Sequence, residues 1–217
     1  MRHSFHLFAF GLAGAVLTAP FMAAHAGLIT NGGFETGQLS SGGYVYENGT
    51  YQNWTYSGNA VLINTASGNP WTTSDQTGYS GNQVAGVQQT GSIAQTFTAS
   101  ITGSYLVSWL DAGRSYLGGN SGAQTYLISL VDNTTALTVS SLSLSTTSDS
   151  NFKAEALSLL SLKAGDSYTL TFKGQDTADE TALIDNVNVS QVPEPATLTL
   201  FGAGLAGLGW IRRRKAI

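Results

Sequence analysis

The sequence predicts an all-β domain, a jelly-roll β-sandwich, and three observations carry that expectation. Short segments alternate apolar and polar residues, with aromatic and branched side chains on the apolar phase: Tyr105, Val107 and Trp109; Tyr126, Ile128 and Leu130; Tyr168, Leu170 and Phe172. A period of two with such residues marks a half-buried strand. Turn signals separate the segments, among them Thr90-Gly91, Thr102-Gly103, Asp132-Asn133 and Ala164-Gly165-Asp166. No long segment keeps a helical period, although Ala154–Leu162 could pass for a short helix. About nine or ten strands at this spacing make two packed sheets.

The chain opens with an export leader. Arg2 and His3 precede a mostly apolar stretch from Phe5 to Leu17, Pro20 breaks it, and Ala24-His25-Ala26 supplies the small-x-small pattern that signal peptidase accepts. Residues 1–26 thus read as a signal peptide cleaved after Ala26. The alternative is an uncleaved N-terminal anchor. The leader has no twin-arginine pair, which favours the general secretory route.

The body spans residues 27–191. Strands are expected near Leu28–Thr30, Ala60–Asn64, Asn82–Gln88 and Ser92–Thr98, then around Tyr105–Trp109 and Tyr126–Leu130. Further strands are expected at Ala136–Ser145 and Phe152–Ser161, around Tyr168–Phe172, and at Thr181–Val189. The stretch from Asn31 to Asp75 is looser. It is rich in Gly, with Tyr44, Tyr46, Tyr51, Trp54, Tyr56 and Trp71 interspersed, and reads as long loops. Such loops often carry ligand contacts; equally, Trp54 and Trp71 could plug the open end of the sandwich.

The C-terminal 26 residues, 192–217, form an address. Val192-Pro193-Glu194-Pro195 is held extended by its prolines. The 16 residues Ala196–Ile211 are apolar and precede Arg212-Arg213-Arg214-Lys215. As a helix at about 1.5 Å per residue the run reaches roughly 24 Å, short of a ~30 Å hydrocarbon core but able to span with local thinning. The basic stop at 212–215 would stay cytoplasmic and leave the body outside the inner membrane. This tripartite tail resembles the PEP-CTERM sorting signal of Gram-negative bacteria. The resemblance implies recognition and cleavage by an exosortase near Pro193, Glu194 and Pro195. It also implies a genome that makes exopolysaccharide, and release to the cell surface or biofilm matrix. An ordinary C-terminal anchor that stays in the membrane is the alternative.

Charge and composition narrow the chemistry. Between the two signals only Arg114, Lys153, Lys163 and Lys173 are basic, against twelve of the chain's 13 acids, a net charge of −8. A basic nucleic-acid footprint is absent. The chain has no cysteine, and its three histidines (His3, His6 and His25) all lie in the leader. The body therefore has no disulfide, no Ser-His-Asp or Cys-His nucleophile and no usual zinc ligand set.

The start of the body, Leu28-Ile29-Thr30-Asn31-Gly32-Gly33-Phe34-Glu35, and its close, Ala182-Leu183-Ile184-Asp185-Asn186-Val187-Asn188-Val189, resemble the first and last segments of galactose-binding-like jelly rolls. These include many carbohydrate-binding modules and DUF642-type domains. Gly81–Ala85, Ser92–Phe97 and Tyr105–Arg114 follow the same strand pattern. The resemblance implies that the two chain ends lie side by side and hold a structural Ca²⁺, with Glu35 and Asp185 as side-chain ligands and Asn31 and backbone carbonyls nearby. Hard oxygen ligands suit calcium. The alternative is that Glu35 and Asp185 only bond backbone amides. Asp176, Asp179 and Glu180 form a second acidic cluster, read as a solvated turn.

For sugar binding an aromatic ring stacks on a pyranose while polar groups bond its hydroxyls. Trp54, Trp71, Tyr79 and Tyr116 fall in expected loops and could offer rings. Arg114 could bond hydroxyls, or instead pair with Asp111 or another acid. Trp109 belongs to the core by its alternation. The leading expectation is a non-catalytic exported protein that associates with extracellular polysaccharide. A structural or adhesion protein of the matrix is the second reading. A glycosidase is the third, and needs two carboxyls about 5–10 Å apart in a cleft.

Overall fold

The computed structural model describes residues 27–66, 69–73, 75–115 and 123–192. The signal peptide with Ala24 and Ala26, Tyr116, and the tail with Pro193, Glu194, Pro195, the apolar run and the basic stop lie outside the described residues. Among the described residues there are twelve strands: β1 Tyr44–Tyr46, β2 Gly49–Tyr51, β3 Trp54–Ser57, β4 Ala60–Asn64, β5 Gln83–Gln88, β6 Ser92–Thr98, β7 Gly103–Gly113, β8 Thr125–Asp132, β9 Leu137–Ser145, β10 Lys153–Leu162, β11 Ser167–Gly174 and β12 Thr181–Gln191.

They form two six-stranded antiparallel sheets, in the orders β1-β4-β5-β12-β7-β10 and β2-β3-β6-β11-β8-β9. Alternation sorts the faces as the sequence predicts. Tyr105, Val107 and Trp109 of β7, Tyr126, Ile128 and Leu130 of β8, and Tyr168, Leu170 and Phe172 of β11 all point into one core between the sheets. Short crossings join the sheets at their ends. At β3–β4 the chain turns through Gly58 at φ +63°, a left-handed conformation open to glycine at no steric cost.

The strand expected at Phe152–Ser161 is β10, so Ala154–Leu162 is not a short helix; its register against β7 shifts between Leu157 and Leu160, and Leu159 bulges outward at φ 59°. Three departures from the sequence reading stand out. Leu28–Thr30 adds no strand. The Leu28 amide bonds Val189 O at 2.8 Å, and the Thr30 amide and carbonyl both go to the Gln95 side chain, so its polar groups are met without a full ladder. The stretch from Asn31 to Asp75 holds β1, β2 and β3, each three or four residues long, too short for a periodic signal. Trp54 is therefore a strand residue. It is fully buried, 5.1 Å from the Phe34 ring, with its Nε1 donating to Asn31 O at 2.9 Å.

The first sheet also has a covered outer face. Val61 and Ile63 of β4, Val84 of β5, Ala112 of β7 and Leu183 of β12 form a second, smaller core under Trp71 and Phe152. Trp71, from between β4 and β5, and Phe152, just before β10, make that cover.

Candidate functional site

The outer face of the first sheet carries the one exposed aromatic ledge found among the described residues. In β1, Tyr44 lies opposite Ile63 and Tyr46 opposite Val61. Residues opposite one another on neighbouring strands share a face, so both rings project outward from the sheet. Tyr44 is 49 % exposed and Tyr46 48 %. Their ring centres are 6.3 Å apart, and each meets the buried Trp71 ring edge-on, at 5.8 and 6.0 Å.

Local hydrogen bonds explain why Trp71 sits there. Asn69 is buried, and its side-chain oxygen accepts the amides of Trp71 and Thr72, both at 2.8 Å. Its NH₂ donates to the Thr72 hydroxyl and to the carbonyls of Asn64 and Ala66. This clamp fixes the turn before Trp71 as Asn side chains commonly do. Trp71 O then accepts the Ser115 amide at 2.9 Å.

Arg114 completes the base. Its guanidinium carbon stands 4.2 Å from the Trp71 ring centre, its Nη1 bonds Asp179 Oδ1 at 2.9 Å, and its Nε reaches Pro70 O at 3.4 Å. The acid that pairs with Arg114 is thus Asp179, not Asp111. Gln88 links this pair to the ledge: its NH₂ donates to Asp179 Oδ1, and its oxygen accepts the Tyr46 hydroxyl at 2.6 Å. Burial raises the pKa of Tyr46, the Gln88 bond opposes the rise, and the Asp179 charge adds to it. Three buried polar atoms around Arg114 have no hydrogen-bond partner: Trp71 Nε1, Ser115 Oγ and Thr181 Oγ1. Ser115 follows Arg114 in the chain, and the Thr181 carbonyl accepts the Arg114 amide. Unpaired buried polar groups are rare enough to call for an explanation.

The residues expected to touch sugar therefore divide. Trp54 is in the core between the sheets and offers no ring to solvent. Trp71 and Arg114 are both buried and come together as the floor of the ledge. Tyr79 packs edge-on against Phe152, just before β10 at the other margin of the sheet. Tyr44, Tyr46, Gln88 and Asp179 were not singled out as ligand residues from the sequence. The signal for the first two was the triplet Tyr44-Val45-Tyr46, whose period of two puts both rings on one face.

Glu35 and Asp185 do converge. A Cβ added at Gly33 would stand 3.8 Å from Asp185 Oδ1 and 3.9 Å from Glu35 Cγ. Glu35 Oε1 accepts the amides of Asn82 and Gln83, and Oε2 accepts the Gln38 NH₂. Asp185 is fully buried and accepts the amides of Ser80 and Asn186, both at 2.6 Å. Burial, with a contribution from the Glu35 charge, pushes the Asp185 carboxyl up to about 7 against those two bonds. Asn31 is occupied elsewhere: its side chain bonds Thr36 N and Gln52 O. Among the described residues no Lys or Arg pairs with Glu35 or Asp185. None of those residues forms a group of three or more His, Cys, Asp or Glu able to hold a metal. Among the described residues the two carboxyls have no counter-charge and three of their four oxygens accept only one bond, a chemistry compatible with a hard divalent cation. Glu35 and Asp185 would be its side-chain ligands, and its charge would balance theirs.

Comparison with known proteins agrees with both parts of the chain. Residues 191–215 match the PEP-CTERM protein-sorting motif, so this is an exported protein with a C-terminal sorting signal. No curated protein matches the chain. The described sandwich has the fold of carbohydrate-binding modules. The solved structure of TmCBM61 in complex with β-1,4-galactotriose shares 14 % identity at a TM-score of 0.51, covering 77 % of this chain and 100 % of its own. The CBM22-1 xylan-binding domain from Paenibacillus barcinonensis Xyn10C shares 16 % identity at 0.45, covering 73 % and 100 %. A family 35 carbohydrate-binding module from Clostridium thermocellum shares 15 % at 0.43, covering 69 % and 99 %.

Proposed function

We propose that this chain is a non-catalytic, polysaccharide-binding protein of the cell surface or biofilm matrix, and that the Tyr44–Tyr46 ledge is its binding site. One observation carries the reading: two half-exposed Tyr rings stand on a rigid strand, over a floor of Trp71, Arg114, Gln88 and Asp179 that also holds three unpaired polar atoms. A pyranose face would stack on the two exposed rings, which the buried floor holds in place. The absence of any charged side chain on β1 suits a neutral sugar. The module fold and the galactotriose named for one neighbour support the ligand class. The only carboxylate described at the floor, Asp179, is held by Arg114, which favours binding over acid–base work.

The sorting motif supports the route. Signal peptidase would cut after Ala26, the tail would hold the body transiently at the inner membrane, and an exosortase would cut near Pro193–Pro195. Calcium at Glu35 and Asp185 would join the two ends of a domain that has no disulfide. A matrix or adhesion role without a sugar site is favoured by one feature, the edge strand β9, which has no charged residue in nine.

A glycan array probed with the exported protein tests the reading. Retention on one or more neutral polysaccharides, lost on changing Tyr44 and Tyr46 to Ala, is expected. Retention unchanged by that pair of substitutions would place the site elsewhere.

A further inference from the structure

We infer that the end of the sandwich from which both chain termini emerge docks on the lipid bilayer while the C-terminal tail is attached. The inference rests on the membrane-held tail proposed above. It adds a face of the body to the contact and fixes the direction of the ledge.

The topology sets the ends. β12 begins at Thr181, opposite Gln88 and beside the Arg114 floor, and ends at Gln191, opposite Tyr105. Eleven residues at about 3.3 Å each separate the two ends by roughly 35 Å. The Val192 amide bonds Ser104 O at 2.8 Å, so the chain leaves the fold at this far end. The start of the body is there too, through the Leu28–Val189 bond. Only Pro193, Glu194 and Pro195 separate Val192 from the apolar run at Ala196. Four extended steps reach at most about 14 Å. Once the run enters the hydrocarbon, this end of the body therefore lies at the headgroups.

The surface at that end fits such a neighbour. The turns 99–102, 133–136 and 163–166 lie together: the Ala99 amide donates to Asp166 O and Ala99 O accepts the Gly165 amide, Asn133 N bonds Ser167 O, and Ala164 N bonds Thr102 Oγ1. Six large hydrophobic side chains are exposed among the described residues. Two are the ledge tyrosines. Three flank these turns: Ile101 is 39 % exposed, Leu137 65 % and Leu159 74 %. Leu159 sits three residues before the end of β10, on the bulge that turns it outward.

Charge agrees. Of the twelve acids of the body only Asp132 and Asp166 lie at this end, and Asp132 is engaged by the amides of Thr134 and Thr135. Lys163 lies in the same group of turns and makes no ion pair among the described residues. Exposed aliphatic side chains on an end that carries few charges suit the interface of a bilayer. Docked this way, the body holds Tyr46 towards the end far from the membrane, and the sheet face that carries both tyrosines stands clear at the side.

The chain has no cysteine, which permits single-site labelling. The full-length protein would be reconstituted in phosphatidylcholine–phosphatidylglycerol vesicles, with an environment-sensitive dye at Ile101→Cys, Leu137→Cys, Leu159→Cys or, at the ledge end, Asn59→Cys. Expected are a blue shift and quenching by nitroxide lipids at the first three sites and neither at Asn59. Adding Leu137→Ser and Leu159→Ser should abolish quenching of the Ile101 dye while the chain still floats with the vesicles after carbonate. A floating chain whose three dyes behave like the Asn59 dye overturns the docking and leaves the anchored tail standing. A chain that does not float overturns both.

Discussion

Arg114 and Trp71 are locked together: the guanidinium carbon lies 4.2 Å from the centre of the indole ring, and both side chains are buried. Neither is free to take a ligand by itself. Their contact instead joins the outer-face core to the Asp179–Gln88 pair, and it is the base on which the two exposed tyrosines rest. A single exposed ring on a three-residue edge strand would be poorly held. Two rings braced edge-on against a buried indole are held in place before a ligand arrives, which lowers the entropy cost of binding.

Tyr44→Ala should weaken polysaccharide binding with little effect on stability. Its ring is half exposed, and its hydroxyl makes no hydrogen bond among the described residues. A stacked aromatic contact contributes about 0.5–1.5 kcal/mol, so the dissociation constant should rise several-fold, read by affinity electrophoresis or calorimetry. Tyr46→Ala should lose as much binding and, in addition, about 1 kcal/mol of stability through its bond to Gln88. Unchanged binding in both variants would remove the ledge from the site.

Trp54→Ala should behave in the opposite way. The side chain fills the core between the sheets, so its removal should cost about 3–5 kcal/mol. The protein that stays folded should bind sugar as before. Thermal melts and binding measured on the same sample separate the two effects; an intact melt with lost binding would contradict the buried placement.

Arg114→Lys should keep part of the pairing with Asp179 but lose the planar cation over Trp71. The two residues are not interchangeable at a stacked site, so a loss on the order of 1 kcal/mol is expected, together with weaker ligand binding as Trp71 loosens. Arg114→Ala should cost more, because it also leaves Asp179 and Gln88 without the cation. Equal stability of the two variants would mean that the guanidinium contributes only charge.

Most of the sandwich was legible because its long strands obey a period of two. β7, β8 and β11 each bury every second residue, and Trp109 could be assigned to the core on that ground alone. The short strands β1 to β3 were not legible, because three or four residues carry too little periodicity to separate a strand from an aromatic loop. The error at Trp54 followed from that. The bulge at Leu159 set Leu157 and Leu160 three apart on the same face, which mimics a helical spacing. The convergence of Glu35 with Asp185 was foreseen through the resemblance at the two chain ends, whereas the pairing of Arg114 with Asp179 depends on the register of β12 on β7, which sets Thr181 against Arg114 and which no local pattern announces.

Asp185 should give the stability of this domain a pH dependence whose direction reports on calcium. Its carboxyl titrates near 7 in the folded chain, above the ordinary value of 3.8. Between those values the folded state holds a proton that the unfolded chain has released, so without metal this group stabilises fully below pH ~4 and loses that contribution as pH rises through 7. A shift of about three units corresponds to at most about 4 kcal/mol. Asp111 is raised as well, first by burial, and acts in the same direction. In chelator the melting temperature should therefore fall from pH 5 to pH 8, and Asp185→Asn should flatten the Asp185 part of that slope while leaving the part due to Asp111. A cation held by Glu35 and Asp185 requires both to be ionised, so calcium should raise the melting temperature at pH 8 far more than at pH 5, the gain in stability being about 2.7 kcal/mol at a hundredfold excess over its dissociation constant. Asp185→Asn should abolish that gain. Melts that do not respond to calcium at either pH would leave the two carboxylates as amide acceptors that tie the first loop to the last strand without a metal.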